Sequence, residues 1–278
     1  MMLHVSRTLS CFSCIAFAIG CGACGTPAVV ADGWQPAWID APPRLDVDLG
    51  VEPMRWAPVK SVGLRWNFEG KKGFGYAVRN KLRTIRKNAK KQPQETETEG
   101  AIMFRPLGDG RAEVRLMTHL VAGAGSPTVR TYVVDEYGRL EDPDPQTQSM
   151  FQLIFPMLDA DLASGDVHED AVLIPDASGL AETRGSSTLG IVGYSKVAGL
   201  KCAVVALDHE ARIWSRKTRA DPLEETGSTL HLRLLGYYDV KAGRYVAIAI
   251  GETSVMVHGS GETRTERTAT YVMKGLAP

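Results

Sequence analysis

The chain has 278 residues, with 32 basic and 32 acidic side chains, 44% hydrophobic residues and 23% charged. This is enough apolar material for a sizeable core and excludes a disordered chain. A formal net charge of zero removes the surplus of Lys and Arg with which nucleic-acid binders neutralise phosphate, so no nucleic-acid partner is expected.

Residues 1–20 carry one basic group, Arg7, followed by an uncharged and mostly apolar run. That is the layout of an export signal, and the run is too short for a permanent membrane span. Cys11, Cys14, Cys21 and Cys24 form two C-x-x-C spacings there. The spacings would suit zinc, but the first pair lies inside the apolar run, so processing is the expected use and no metal site is assigned.

Ala18-Ile19-Gly20-Cys21 resembles the lipobox of bacterial lipoproteins, in which small residues precede a cysteine that is acylated and becomes the new N-terminus. The resemblance implies a signal peptide over 1–20, lipidation at Cys21 and a membrane partner reached through the N-terminal lipid. In such lipoproteins an Asp after the acylated cysteine retains the protein at the inner membrane. Gly22 stands there, so the resemblance points to the outer membrane, facing the periplasm. Cys24 is a second acceptor, and cleavage after Val29-Val30-Ala31 would instead release a secreted protein beginning at Asp32.

Residues 21–58 hold Pro27, Pro36, Pro42, Pro43, Pro53 and Pro58, a density that keeps backbone extended and reads as a tether or outer strap. Trp34, Trp38 and Trp56 are out of place in a solvated linker, so part of the segment should pack on the body. A sugar-stacking role is the sharper alternative, without paired polar groups to support it.

From residue 59 the pattern has period two, the mark of strands with one buried face. Phe74, Tyr76, Val78 and Leu82 share one face and Arg79, Lys81 and Arg83 the other, and residues 112–120 repeat the alternation. Gly108-Asp109-Gly110 reads as a hairpin turn, and residues 187–196 and 201–214 form a hairpin around Ala198-Gly199. Strands at 231–238, 244–257 and 263–273 follow. The best helix is 146–155, with Met150, Phe151, Ile154 and Phe155 at helical spacing and Pro156 to stop it. The expected fold is mainly β: one domain over 59–278, built as a large curved antiparallel sheet, half-barrel or sandwich, with one or two short helices. Residues 66–78 can be laid beside 236–248 as look-alike hairpins, for which shared turn chemistry is the preferred explanation and duplication the alternative.

The search for chemistry returns little. No histidine makes H-x-H or H-E-x-x-H. Asp166-Val-His168-Glu-Asp170 is the densest set of metal-ligating types, but no fourth ligand is evident and a polar turn is the preferred reading. Gly193-Tyr-Ser195-Lys lacks the second glycine of a nucleophile elbow. Gly70-Lys-Lys-Gly73-Phe-Gly75 joins strands, so it is a turn and not a phosphate cradle. Nine basic residues and no acidic one occupy 71–91, followed by Glu95, Glu97 and Glu99. They could meet lipid headgroups or an anionic polymer, but pairing across a hairpin with those glutamates is the preferred reading. Cys202, in an apolar strand pattern, reads as a buried structural thiol.

Phe155-Pro-Met-Leu158 leading to Ala163-Ser-Gly165-Asp166, the strand carrying Gly199-Leu-Lys-Cys202-Ala, and Tyr238-Asp239 through Gly243-Arg244 together resemble a family of uncharacterised bacterial lipoproteins over residues 60–274. The resemblance implies no established activity, catalytic residue or cofactor; in general shape the expected fold is similar to periplasmic lipoprotein and lipid-carrier half-barrels. The working expectation is therefore a non-enzymatic envelope lipoprotein that binds an apolar or lipid-like ligand or an envelope partner. A structural scaffold with a filled core is the alternative, and a hydrolase with an unrecognised site the third. No ligand-binding residue is assigned, but a carrier requires an open apolar cavity lined by residues such as Phe74, Tyr76, Val78, Ile248 and Ile250.

Overall fold

Period-two alternation gives strand after strand one apolar face, and such faces are stable only when buried together. The computed structural model describes residues 28–29, 34–55, 61–70, 72–87, 92–120, 128–175, 180–258 and 261–275. The elements in chain order are β1 (Ala28–Val29), β2 (Val62–Gly63), β3 (Phe74–Arg86), β4 (Gln94–Pro106), β5 (Ala112–Leu120), β6 (Thr128–Val134), α1 (Pro145–Ile154), β7 (Asp161–Leu162), β8 (Asp166–Pro175), β9 (Ala181–Val197), β10 (Leu200–Ser215), β11 (Glu224–Asp239), β12 (Arg244–His258) and β13 (Gly261–Met273). Ten full strands and the short β1 form one sheet in the order β1-β8-β9-β10-β11-β12-β13-β3-β4-β5-β6, and β2 pairs with β7 outside it. Every strand pair is antiparallel. Over the described residues the protein is thus mainly β with one short helix.

Two meanders, β3 to β6 and β8 to β13, meet where β13 pairs with β3. Short turns hold them: Ala198 and Gly199 both have positive φ, 49° and 78°, the conformation that a two-residue hairpin requires. One buried cluster includes Val114 and Val134 near one edge of the sheet and Val172 and Leu189 near the other. A flat sheet of this width could not bring both edges to one core, so the sheet curls around it. It is one curled sheet rather than a sandwich of two.

The convex face carries a second cluster, where residues 34–55 lie as a strap across β9 to β13. Trp38 is 5% exposed, and the ring of Trp34 lies so close to the sheet that a methyl at Gly190 would come within 2.7 Å of it. Backbone bonds join Glu52 to Lys196 and Arg55 to Tyr194, and the Ser195 hydroxyl donates to the Glu52 carbonyl at 2.6 Å. Trp56 and the predicted processing segment with Cys21, Cys24 and Ala31 lie outside the described residues.

Several sequence expectations need correction. Residues 66–68 pair with no neighbouring strand of a hairpin; they run as an irregular strap into the concave face, where the Asn67 N–H donates to the Gly243 carbonyl at 2.9 Å. The two look-alike segments therefore touch each other and are not structural equivalents. The polar turn expected at 166–170 is the first half of β8. Strands β6 and β8 are additions to the expected set, and β4 is the strand that carries the expected glutamates opposite β3.

Candidate functional site

The concave face is where a half-barrel would hold a ligand, and its two ends differ. At the end bearing the β4–β5, β9–β10 and β11–β12 turns, Tyr76, Phe104, Tyr238, Tyr245, Ile248 and Ile250 form the floor. The chain's own segments fill the space above it. Trp66 and Phe68 enter from the strap, and Phe151, Leu153 and Phe155 from α1, all nearly or fully buried. The Trp66 ring centroid lies 4.9 Å from that of Phe104 and 5.3 Å from that of Phe155. Of the residues expected to line a cavity, Tyr76, Ile248 and Ile250 are buried under this plug, while Phe74 and Val78 are half-buried at its margin.

Two floor tyrosines tie the plug down through its backbone, and a third braces the floor itself. The Tyr245 hydroxyl donates to the Pro156 carbonyl at 2.9 Å, the Tyr238 hydroxyl to that of Arg65 at 2.5 Å, and the Tyr76 hydroxyl to that of Tyr245 at 2.7 Å. Burial raises the pKa of all three phenols, so they remain neutral donors. Helix α1 is built to stay in place. Asp144 caps it by accepting from the Thr147 N–H at 2.9 Å, Pro145 opens it, and Gln148 bridges to Leu140 N–H and the Gly138 carbonyl.

At the other end the same face turns polar. Arg267 on β13 donates through Nε to Asn80 on β3 at 2.8 Å and through Nη1 to Glu252 on β12 at 3.2 Å. Asn80 in turn donates to Thr98 on β4 at 3.2 Å. On the far side, Ser187 Oγ and His209 Nδ1 are 2.9 Å apart, and His168 Nε2 lies 3.0 Å from Asp170. The two histidines are shifted in opposite directions. Burial, helped by nearby His231 and opposed by Asp208, lowers His209 to about 4, whereas the hydrogen bond to Asp170 raises His168.

Of the two histidine pairs, His168 and Asp170 are partly exposed, whereas Ser187 and His209 are closed off. A Ser–His pair is present, but Ser187 is 5% and His209 1% exposed, and Asp170 stands opposite the serine rather than behind the histidine. Among the described residues no group of three His, Cys, Asp or Glu side chains is placed to hold a metal ion. Sequence reasoning singled out His168 and Asp170 but missed the Glu252–Arg267–Asn80 network. Its members lie on strands from both ends of the chain, and only the β13–β3 pairing joins them.

The other candidates are placed plainly. Cys202 is fully buried on the convex side, its thiol pushed up to about 12 by burial and by nearby Asp239. Ser195 serves the strap. The basic outer face of β3 is answered in register by β4: Arg79 faces Glu99, Lys81 faces Glu97 and Arg83 faces Glu95, at 3.6 to 3.8 Å.

Fold and site together define a class: an open, curled antiparallel sheet filled by its own helix and strap. No protein-family model matches the chain, and no curated protein does. Among solved structures it is similar to OmpTdeltaL8, a loop L8 deletion mutant of OmpT, an outer membrane protein of Vibrio cholerae. The match has 11% sequence identity, covers 73% of this chain and 99% of that chain, and has a TM-score of 0.22. A TM-score that low says nothing of how this chain folds or what it does.

Proposed function

We propose that the protein is an exported lipoprotein, held at the outer membrane by an acyl chain on Cys21, whose β body acts without catalysis as an envelope scaffold. The observation that carries this reading is the self-filled concave face: Trp66, Phe68, Phe151 and Phe155 occupy the space an apolar ligand would need. The lipobox-like Ala18-Ile19-Gly20-Cys21 supports the anchor. Replacing Cys21 with Ser should abolish acyl labelling of the exported protein. Unchanged labelling would assign the chain to Cys24, and an unlabelled parent would favour release after Ala31.

A second reading, carriage of a lipid-like molecule, is favoured by one feature. Trp66 Nε1 and Gln152 Oε1 are buried without a hydrogen-bond partner, a cost that withdrawal of the plug would relieve. A fluorescent fatty acid separates the two. The scaffold takes up none saturably; saturable uptake that Phe155→Trp blocks would establish the carrier.

A further inference from the structure

Strand β8 has an open outer edge. Among the described residues β1 is its only strand partner on that side, and β1 reaches no further than Ala28 opposite Val167 and Val29 opposite Asp166. Residues 168–175 therefore have β9 on one side and no described strand on the other, although they include the uncharged run Ala171-Val-Leu-Ile174, in which Leu173 is 61% exposed. Natural sheets cover or charge an apolar edge of this kind, because its unpaired N–H and C=O groups are a template for another strand.

The register of β1 identifies the segment that fits. The pair is antiparallel, so the chain preceding Ala28 is directed along β8 toward Pro175, and each step back along it meets one step forward along β8. Continued in that register, Pro27 falls opposite His168, Thr26 opposite Glu169, Cys24 opposite Ala171 and Cys21 opposite Ile174. Residues 21–27 thus match positions 168–174 one for one, about 23 Å of extended chain in each. Pro27 is compatible with this pairing. The Asp166 N–H turns back to the Ala163 carbonyl at 3.1 Å, which leaves Ala28 and Val167 as the pair that exchanges ladder hydrogen bonds. Alternate residues of an edge strand face its neighbour, so Thr26, Cys24 and Gly22 would direct their backbone groups at β8, while Pro27, which has no N–H to give, would point away. Directly opposite residues share a face, and Ala23 is small enough to lie beside Val172, which is already buried in the core.

We infer that residues 21–27 extend β1 along β8 and close this edge of the sheet, so that Cys21 sits beside Ile174 at the end of β8. The inference rests on the lipoprotein reading above and deepens it. With residues 34–55 strapped to the convex face and residues 21–29 laid along β8, the acyl chain leaves the protein at one corner of the sheet, and the body is held there without a free tether.

The test uses the exported full chain, isolated without reductant, and asks whether Cys24 forms a disulfide with Ala171→Cys. Directly opposite residues lie about 5.5 Å apart between Cα atoms, within disulfide reach, whereas residues two positions out of register lie beyond it. Cys202, being fully buried, does not compete. Non-reducing peptide mapping should find at least about ten-fold more of the bridge from Cys24 to position 171 than of that from Cys24 to Glu169→Cys, which is out of register. Thr26→Cys with Glu169→Cys, in a Cys24→Ser background, is the second in-register pair and should bridge as well. Absence of both in-register bridges, or equal yields in and out of register, overturns the inference. The mass of the parent's N-terminus is read separately and decides the anchor. A lipidated N-terminus without the bridges leaves the lipoprotein reading standing and sinks the edge. An N-terminus at Cys24 moves the anchor, and the pair 26 and 169 then decides the edge alone. An N-terminus at Asp32 removes the segment and overturns both.

Discussion

The two ends of the concave face are made from the same strands yet solve different problems. At the aromatic end, β3, β11 and β12 offer Tyr76, Tyr238 and Tyr245, each with a hydroxyl reaching a backbone carbonyl, and an apolar plug covers them. At the polar end, β12, β13 and β3 offer Glu252, Arg267 and Asn80, which satisfy one another and need no plug. Apolar surface must be covered by something, whereas polar groups that are already paired can face water at little cost. The difference teaches why the chain spends α1 and the 61–70 strap on one end alone.

The comparison breaks most severely at the plug. Phe155→Ala removes a fully buried ring that touches Trp66, Tyr76 and Tyr245, and should cost about 3–5 kcal/mol in urea unfolding. Leu82→Ala, on the same face of β3 but half-buried toward the polar end, should cost only about 1–2 kcal/mol. Equal losses would mean that the two ends are packed alike.

Acid should act on the polar end. The folded value of His209 lies at about 4, below the ordinary 6.5, so the unfolded chain takes up the proton more readily. Stability conferred by neutral His209 is therefore complete above pH 6.5, falls as the pH drops from about 6.5 to about 4, and is then constant, a loss of about 3 kcal/mol. His168 works the other way: its raised value adds stability at low pH, which fades as the pH rises through that value. Unfolding curves at several pH values should show a flatter acid slope for His209→Gln and a steeper one for His168→Gln than for the parent. If both variants follow the parent's slope, neither histidine controls it.

How much of this could be read in the sequence depends on whether the information is local. β3, β5 and β9 to β13 alternate apolar with polar residues, and were legible for that reason. β4 begins Gln94-Glu-Thr-Glu-Thr-Glu99, where both faces are polar, so its first half gives no contrast to detect although Glu95, Glu97 and Glu99 were expected to face the basic strand. Leu64, Trp66 and Phe68 alternate as strand residues do, because an extended strap laid across a core also buries every second side chain. The identity of its neighbour is not local information. The same holds for the polar network, whose Asn80 and Arg267 meet only because the first long strand closes against the last. Cys202 and the helix were legible from composition and spacing, since burial of a small thiol and a stop at Pro156 need no distant partner.

Smaller perturbations sharpen the contrast. Asp144→Ala removes the side chain that caps α1 and should cost about 1 kcal/mol, visible as faster hydrogen exchange in residues 145–154 while β10 to β12 remain protected. Equal acceleration in the central strands would show that the plug and sheet unfold as one unit.

The smallest effect belongs to the ladder on the outer face of β3 and β4, which lies behind the polar end and is open to water. Lys81 and Glu97 are about half exposed and 3.8 Å apart, so screening and side-chain entropy consume most of their attraction. Lys81→Gln should cost less than about 1 kcal/mol, and that loss should shrink further in high salt. Reversing both charges, Lys81→Glu with Glu97→Lys, should restore the parent's stability if register alone matters, since each new side chain again faces its opposite across the hairpin. A double variant weaker than either single one would mean that Arg79 and Arg83 hold the glutamates as a continuous network, and the ladder would then count as a unit of the sheet rather than as a row of solvated pairs.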